Sequence, residues 1–186
     1  SEAPAELPTQ VPADRLLTEL SSSAVGYSAL MDRRWKIMSD AAGASMMRMV
    51  EDDRGIAQAN VIPLGKMAAG TQLTLEAFVA ESKRSMGDRF VEVLQSKEEV
   101  NSSGLRVMRA TIQGAAQDVP VQWIMIQFSN DLGRRLMVTF TVGNEHLDAF
   151  AGSDEQLIGS LQLLAVEDAT VDVDVAAGAG ERSKLK

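Results

Sequence analysis

The sequence predicts an α+β fold: an antiparallel β-sheet of about six strands, flanked by helices in a layered α/β/α sandwich. Three strand-like segments follow one another with short links, at residues 105–113, 119–128 and 134–142. Strands joined in this way pair antiparallel. Residues 74–86 and 153–163 carry apolar side chains at helical spacing, and such helices bury their apolar stripes against a neighbouring layer.

The clearest strand pattern lies at residues 134–142, where the side chains alternate with a period of two. One face is predicted to carry Leu136, Val138, Phe140 and Val142, and the other Arg135, Met137, Thr139 and Thr141. Residues 130–133 (Asn-Asp-Leu-Gly) form a suitable hairpin turn before it. In residues 119–128, Trp123 and Met125 share one face.

The earlier segments are shorter, and each is assigned from its local pattern. Residues 14–20 are predicted as a short helix, because three leucines fall on one helical face. Strands are predicted at residues 25–31, 35–38, 45–51, 56–62 and 91–100. The third and fourth of these form a hairpin, whose turn is the polar stretch 52–55.

The ends of both long helices have capping signals. Thr74 is predicted to cap the first helix and Gly87 to end it. Ser153 and Gln156 match a capping box at the start of the second helix.

The chain of 186 residues fits one domain at residues 13–166, between a flexible tail at 1–12 and a flexible acidic-then-basic tail at 167–186. The net charge of -8 disfavours binding to nucleic acid or to anionic lipid. No apolar run approaches the roughly 18 residues of a membrane span. The polar, proline-rich segment 1–12 is typical of the stretch after a removed export signal, so we expect an exported, periplasmic or extracytoplasmic protein without its signal segment.

Residues suited to catalysis or metal binding are few. There is no cysteine, which excludes disulfides and thiolates, and His146 is the only histidine. A lone histidine near Glu145 and Asp148 is more often solvated than catalytic. Residues 51–53 form an acidic cluster that could bind Ca²⁺, but a hairpin turn explains it fully. We therefore expect no catalytic residue, metal or cofactor.

Three other clusters have two interpretations each. Arg33, Arg34, Trp35 and Lys36 form a basic-aromatic patch that is a candidate partner contact; alternatively, Trp35 packs inward and the basic side chains stay in water. The pair at 134–135 has the same alternative. Methionines at 46, 47 and 49 could bind Cu(I), but strand alternation separates them, so a role in the core is favoured.

The order of elements and the residues within them resemble the PsbP-like fold family, across residues 25–164. The matching segments are 33–37 (Arg-Arg-Trp-Lys-Ile), 59–61 (Ala-Asn-Val), 74–78 (Thr-Leu-Glu-Ala-Phe), 104–107 (Gly-Leu-Arg-Val), 121–123 (Val-Gln-Trp), 138–142 (Val-Thr-Phe-Thr-Val) and 157–161 (Leu-Ile-Gly-Ser-Leu). The resemblance implies a sheet with helices on its faces and a non-catalytic accessory or binding role. The resemblance suggests a bacterial exported relative of the PsbP extrinsic protein, and it supplies no site residues.

The sequence thus favours a non-enzymatic exported accessory protein that binds an unidentified protein partner at the cell envelope. The alternative is a carrier of a small apolar ligand or lipid, with a pocket lined by residues such as Trp123 and Met125. A hydrolase that uses carboxylates is the least favoured hypothesis.

Overall fold

The computed structural model describes residues 16–166, so the tails predicted at 1–12 and 167–186 lie outside the described residues. The described chain contains ten strands and three short α-helices. In chain order these are β1 (Leu17–Ser22), β2 (Tyr27–Asp32), β3 (Trp35–Ala41), β4 (Ala44–Glu51), β5 (Arg54–Leu64), α1 (Leu75–Met86), β6 (Phe90–Val100), β7 (Arg106–Ala116), β8 (Val119–Ser129), β9 (Arg135–Gly143), α2 (Leu147–Phe150), α3 (Ser153–Ser160) and β10 (Gln162–Leu163).

Seven strands form the main sheet, in the order β3-β4-β5-β9-β8-β7-β6, and every neighbouring pair is antiparallel. A second sheet has the order β1-β2-β10. The α+β class and the antiparallel sheet are therefore confirmed, with one strand more in the main sheet than the six predicted. The described chain has much more strand than helix, and the α/β/α layering stays a prediction.

The first described element corrects the prediction of a helix at residues 14–20. Leu17–Ser22 is a strand that pairs antiparallel with β2, and its side chains alternate between more and less exposed. Leu20 packs against the core, whereas Leu16 and Leu17 are 55% and 49% exposed. Leucines in so short a segment fit both the spacing of a helix and that of a strand, and the pairing with β2 decides in favour of the strand.

One face of the main sheet carries the larger core. Its apolar residues pack with those of the small sheet, α2 and α3. At its centre the Phe140 ring contacts Trp35 and Phe150 edge to face, with centroid distances of 5.3 and 5.2 Å. This confirms the inward face predicted for the strand at 134–142.

The helix α1 covers part of the opposite face, against β6 and β7. Phe78 and Met86 pack there with Met108, Ile112 and Trp123. Thr74 caps the helix by accepting the Ala77 N–H at 3.1 Å, and Gly87 ends it with a φ of 55°. Both predicted ends are thus confirmed.

The predicted capping box of α3 is wrong. Gly152 is the N-cap residue, with φ 87°, and it makes no side-chain cap. The Ser153 hydroxyl instead accepts the indole N–H of Trp35. The helix also ends at Ser160 rather than at residue 163, because Gln162–Leu163 pairs with β2 as β10.

The predicted hairpin of residues 45–51 and 56–62 is confirmed as β4 and β5. Asp52 and Asp53 form its turn with φ of 50° and 60°, the left-handed conformation that a type I′ turn requires. Among the helices of residues 16–166, none is long and apolar enough to cross a membrane.

Candidate binding face of the main sheet

Strands β3, β4, β5 and β9 leave one side of the main sheet in contact with solvent. Along β4, β5 and β9 fully buried side chains alternate with half-buried ones, as their sequence alternation dictates. The buried set belongs to the larger core. We call the opposite set the open sheet face; it consists of Lys36, Met46, Arg48, Gln58, Asn60, Met137, Thr139 and Thr141.

The strand register places four of these side chains in one row across the sheet. Lys36 lies opposite Arg48 on the neighbouring strand. Arg48 lies opposite Gln58, and Gln58 opposite Thr141. Directly opposite residues of antiparallel strands have Cβ atoms roughly 5 Å apart, so each side chain reaches the next. We call Lys36, Arg48, Gln58 and Thr141 the cation row.

The two cations of this row lack an acidic partner within residues 16–166, since no carboxylate there lies at ion-pair distance from Lys36 or Arg48. Like charges directly opposite each other destabilise a sheet. The pair is therefore unfavourable for the isolated fold, although the chain as a whole has an excess of carboxylates and a net charge of -8.

Arg48 passes close to Gly55 on the neighbouring strand. A Cβ at Gly55 would lie 3.0 Å from Arg48 Cδ, so the stem of the arginine runs directly across the glycine backbone. The two residues border an open groove of about 420 Å³, together with Ile56, Ala57, Gln58 and Thr141. Arginine, amide and hydroxyl groups thus meet at a shallow surface that an extended chain can enter.

A second groove of about 500 Å³ adjoins the first at Gly55 and Ile56. It is also lined by Glu51, Asp52, Arg54, Glu145 and His146. His146 lies three residues after the end of β9, with Nε2 at 3.3 Å from Glu145 Oε1. Glu51 contacts Arg34 at 3.6 Å. Within residues 16–166 no three acidic or histidine side chains are arranged to hold a metal ion.

The four residues predicted as a partner contact do not share one surface. Trp35 is 1% exposed in the core. Arg34 donates from Nε and Nη2 to both oxygens of Asp32, each at 3.1 Å. Arg33 is exposed in the turn between β2 and β3, and Lys36 alone of the four lies on the open sheet face.

Sequence reasoning missed Arg48, Gln58 and Thr141, because only pairing across strands brings them to Lys36. The predicted hairpin held a partial signal, since a turn at 52–55 places residue 48 near residue 58. The methionines follow the predicted alternation: Met47 and Met49 are buried in the core, and Met46 is half-buried on the open sheet face.

Similarity to known proteins is structural. No protein-family model matches the chain, and no curated protein matches its sequence. Cyanobacterial PsbP from Synechocystis sp. PCC 6803 superposes with a TM-score of 0.60 at 14% identity, over 84% of this chain and 98% of that one. The Ran-binding protein Mog1p of Saccharomyces cerevisiae gives 0.55 at 9%, over 79% and 95%. A Bacteroides thetaiotaomicron protein gives 0.53 at 11%, over 81% and 49%.

This chain has a PsbP-like fold. The resemblance seen in the sequence is thereby confirmed at the level of fold. A PsbP-like fold at such low identity carries no site residues with it, so the function must be argued from this chain's own surface.

The residues proposed to line a carrier pocket are packed within this fold. Trp123 and Met125 are 4% and 7% exposed in the smaller core beside α1. Arg89 lies over the Trp123 ring, 5.2 Å from its centroid. The space at this point is thus occupied by the protein's own side chains.

Proposed function

We propose that this chain is a non-enzymatic binding protein that holds a protein partner on its open sheet face. The observation that carries the proposal is the cation row, in which Lys36 and Arg48 face each other without a carboxylate from residues 16–166. Exposed groups arranged at a cost to the fold are typical of functional surfaces.

Further support comes from what surrounds the row. The half-buried side chains Met46 and Met137 lie on the same face as amide and hydroxyl groups. Methionine adapts its shape to irregular partner surfaces, and interfaces combine such apolar contacts with hydrogen bonds. Mog1p, which is structurally similar to this chain, is a Ran-binding protein, and this is compatible with a binding role.

We propose that residues 13–166 act as one binding domain between two tails, and that the protein is an exported accessory protein of the cell envelope. A tagged copy expressed from its own gene should fractionate with the envelope; recovery in the cytosolic fraction would contradict the exported role.

The binding role is tested by blocking the open sheet face. Thr139→Trp places a large, uncharged side chain at its centre, and Ala80→Trp makes the same kind of change on the exposed side of α1. We expect a partner captured from the source envelope to be retained by the wild type and by Ala80→Trp, and to be lost with Thr139→Trp. Circular dichroism checks that both variants fold.

Equal retention by all three proteins would place the binding site elsewhere. Native mass spectrometry of the purified protein tests the carrier alternative at the same time, because a co-purified lipid would favour that function instead.

A further inference from the structure

We propose that the partner presents an acidic, extended peptide segment whose carboxylates bind Lys36 and Arg48. This inference rests on the proposed function and names the chemistry that the open sheet face recognises. The inference follows from charge complementarity. Two adjacent cations lie on a chain with a net charge of -8, and within residues 16–166 no carboxylate pairs with either of them.

The neighbours of the two cations complete a site for carboxylates. Gln58 follows Arg48 in the row and Thr141 follows Gln58, so N–H and O–H donors lie beside the guanidinium. Hydrogen bonds from such groups to an ionised acceptor are shorter and stronger than those to neutral ones. The Gln58 amide also donates to Asn60 Oδ1 at 3.3 Å, which links the cation row to the next row of the face.

The side chain of Arg48 is half-buried. Its stem lies across Gly55, which lacks the side chain that would displace it. A side chain that is already placed loses less conformational freedom on binding. Lys36 is exposed and can adjust to a second carboxylate on the same segment.

The size and charge of the surface favour a peptide over nucleic acid. Nucleic acid binding depends on many phosphate contacts, whereas this row supplies two cations on an acidic protein. The apolar side chains Met46 and Ile62 lie in the next two rows on the same side of the sheet, and they suit a segment in which acidic and apolar residues alternate. The shallow groove along Arg48 and Gln58 admits such a segment in extended form.

The probe for this test is a fluorescent eight-residue peptide of alternating Glu and Val, titrated into the full chain and followed by anisotropy. Its matched control is the same peptide with Gln in place of Glu. We expect the acidic peptide to bind and the neutral one to bind at least about tenfold more weakly, since charge-assisted hydrogen bonds are lost. Binding should weaken as the salt concentration rises.

The protein variants locate the site. Lys36→Gln combined with Arg48→Gln should weaken binding of the acidic peptide by about tenfold or more, and Arg48→Lys should weaken it less. The control is Lys83→Gln combined with Arg84→Gln, which removes two neighbouring cations from a groove of about 400 Å³ on α1. That control should leave the affinity unchanged.

Four results would overturn the proposal. The neutral peptide could bind equally well, or a single-stranded oligonucleotide could bind more tightly and with the same dependence on Arg48. Asp172→Asn with Asp174→Asn could raise the affinity tenfold, which would make the chain's own acidic stretch the occupant. A dimer that Arg48→Gln dissociates, seen by sedimentation, would make a second copy the occupant.

The two proposals fail in different ways. If Thr139→Trp abolishes capture of the partner but the Lys36 and Arg48 double variant does not, the open sheet face is the binding site and the proposal of an acidic segment is wrong. If neither variant affects capture, the proposed function itself is wrong.

Discussion

Trp35 donates its indole N–H to the hydroxyl oxygen of Ser153 across 2.9 Å, and so joins the first residue of β3 to the first residue of α3. The two residues are 118 positions apart, and each is 1% exposed. A buried donor and acceptor that satisfy each other fix the orientation of both elements.

Ser153→Ala should lower the free energy of unfolding by about 1–3 kcal/mol, because it leaves the buried indole N–H without an acceptor. Urea denaturation of the wild type, Ser153→Ala, Trp35→Phe and the double variant measures this. In the double variant neither partner remains, so its loss should be smaller than the sum of the two single losses. Additive losses would show that the bond contributes nothing to stability.

Phe140→Ala should cost about 3–5 kcal/mol, since it empties the centre of the larger core. Phe140 is 0% exposed and contacts the rings of Trp35 and Phe150.

His146→Ala is the comparison, because His146 lies in the second groove and contacts Glu145. We expect it to leave both stability and partner binding nearly unchanged. Loss of a measurable activity in His146→Ala would contradict the non-enzymatic function.

Gly114→Ala should be strongly destabilising, whereas Gly159→Ala should not. A Cβ at Gly114 would lie 2.2 Å from Trp123 Cζ3 and 2.3 Å from the Arg89 carbonyl oxygen. Overpacking of this kind costs about 1–3 kcal/mol or more, and the backbone carbonyl has little room to move. At Gly159 in α3, nothing lies within 4 Å of the added carbon. Alanine there should stabilise by roughly 0.5–1 kcal/mol, as measured by thermal unfolding.

Stability should fall with rising pH because of Asp154. Burial raises the pKa of this carboxyl group above 3.8, although the charge of Arg109, 3.0 Å away, acts in the opposite direction. Asp154 therefore takes up a proton on folding between pH 3.8 and its folded pKa. The stability that this proton uptake contributes is fully present below pH 3.8, and it is lost as the pH rises through the folded pKa of Asp154.

The measurement compares the wild type with Asp154→Asn across that range. The wild type should lose stability relative to the variant as the pH rises, and Arg109→Met should extend the loss to higher pH because the opposing charge is gone. A wild type that gains stability relative to Asp154→Asn over the same range would show that the ion pair outweighs burial.

The candidate site shows how far local patterns reach. The alternation at 134–142 predicted that Thr139 and Thr141 lie away from the core, and β9 bears this out. For the patch at 33–36 the structure agrees with the alternative interpretation, in which Trp35 packs inward: strand alternation buries Trp35 and turns Lys36 to the opposite side. Arg48 lies opposite Lys36 because of the pairing register of β3 and β4, and the residue pattern along either strand alone does not give this register.

The ends of the helices also differ in how far local patterns predict them. Thr74 and Gly87 bound α1 as predicted, because capping depends on residues within one turn. Ser153 carries an equally good capping pattern, yet its hydroxyl serves the indole N–H of a distant strand. A polar side chain can bond to any partner that the fold places within reach. For Ser153 the backbone N–H groups of α3 were only one set of such partners.

The sequence by itself determined the α+β class, the inward faces of the long strands, the bounds of α1 and the resemblance to a PsbP-like fold. These features follow from periodicity and from contacts between close neighbours along the chain. Only the tertiary structure decided that Leu17–Ser22 is a strand, that Ser153 binds Trp35 and that Lys36 faces Arg48. Each of these depends on contacts between residues of different elements, whose free energy outweighs the weak preferences of a short segment.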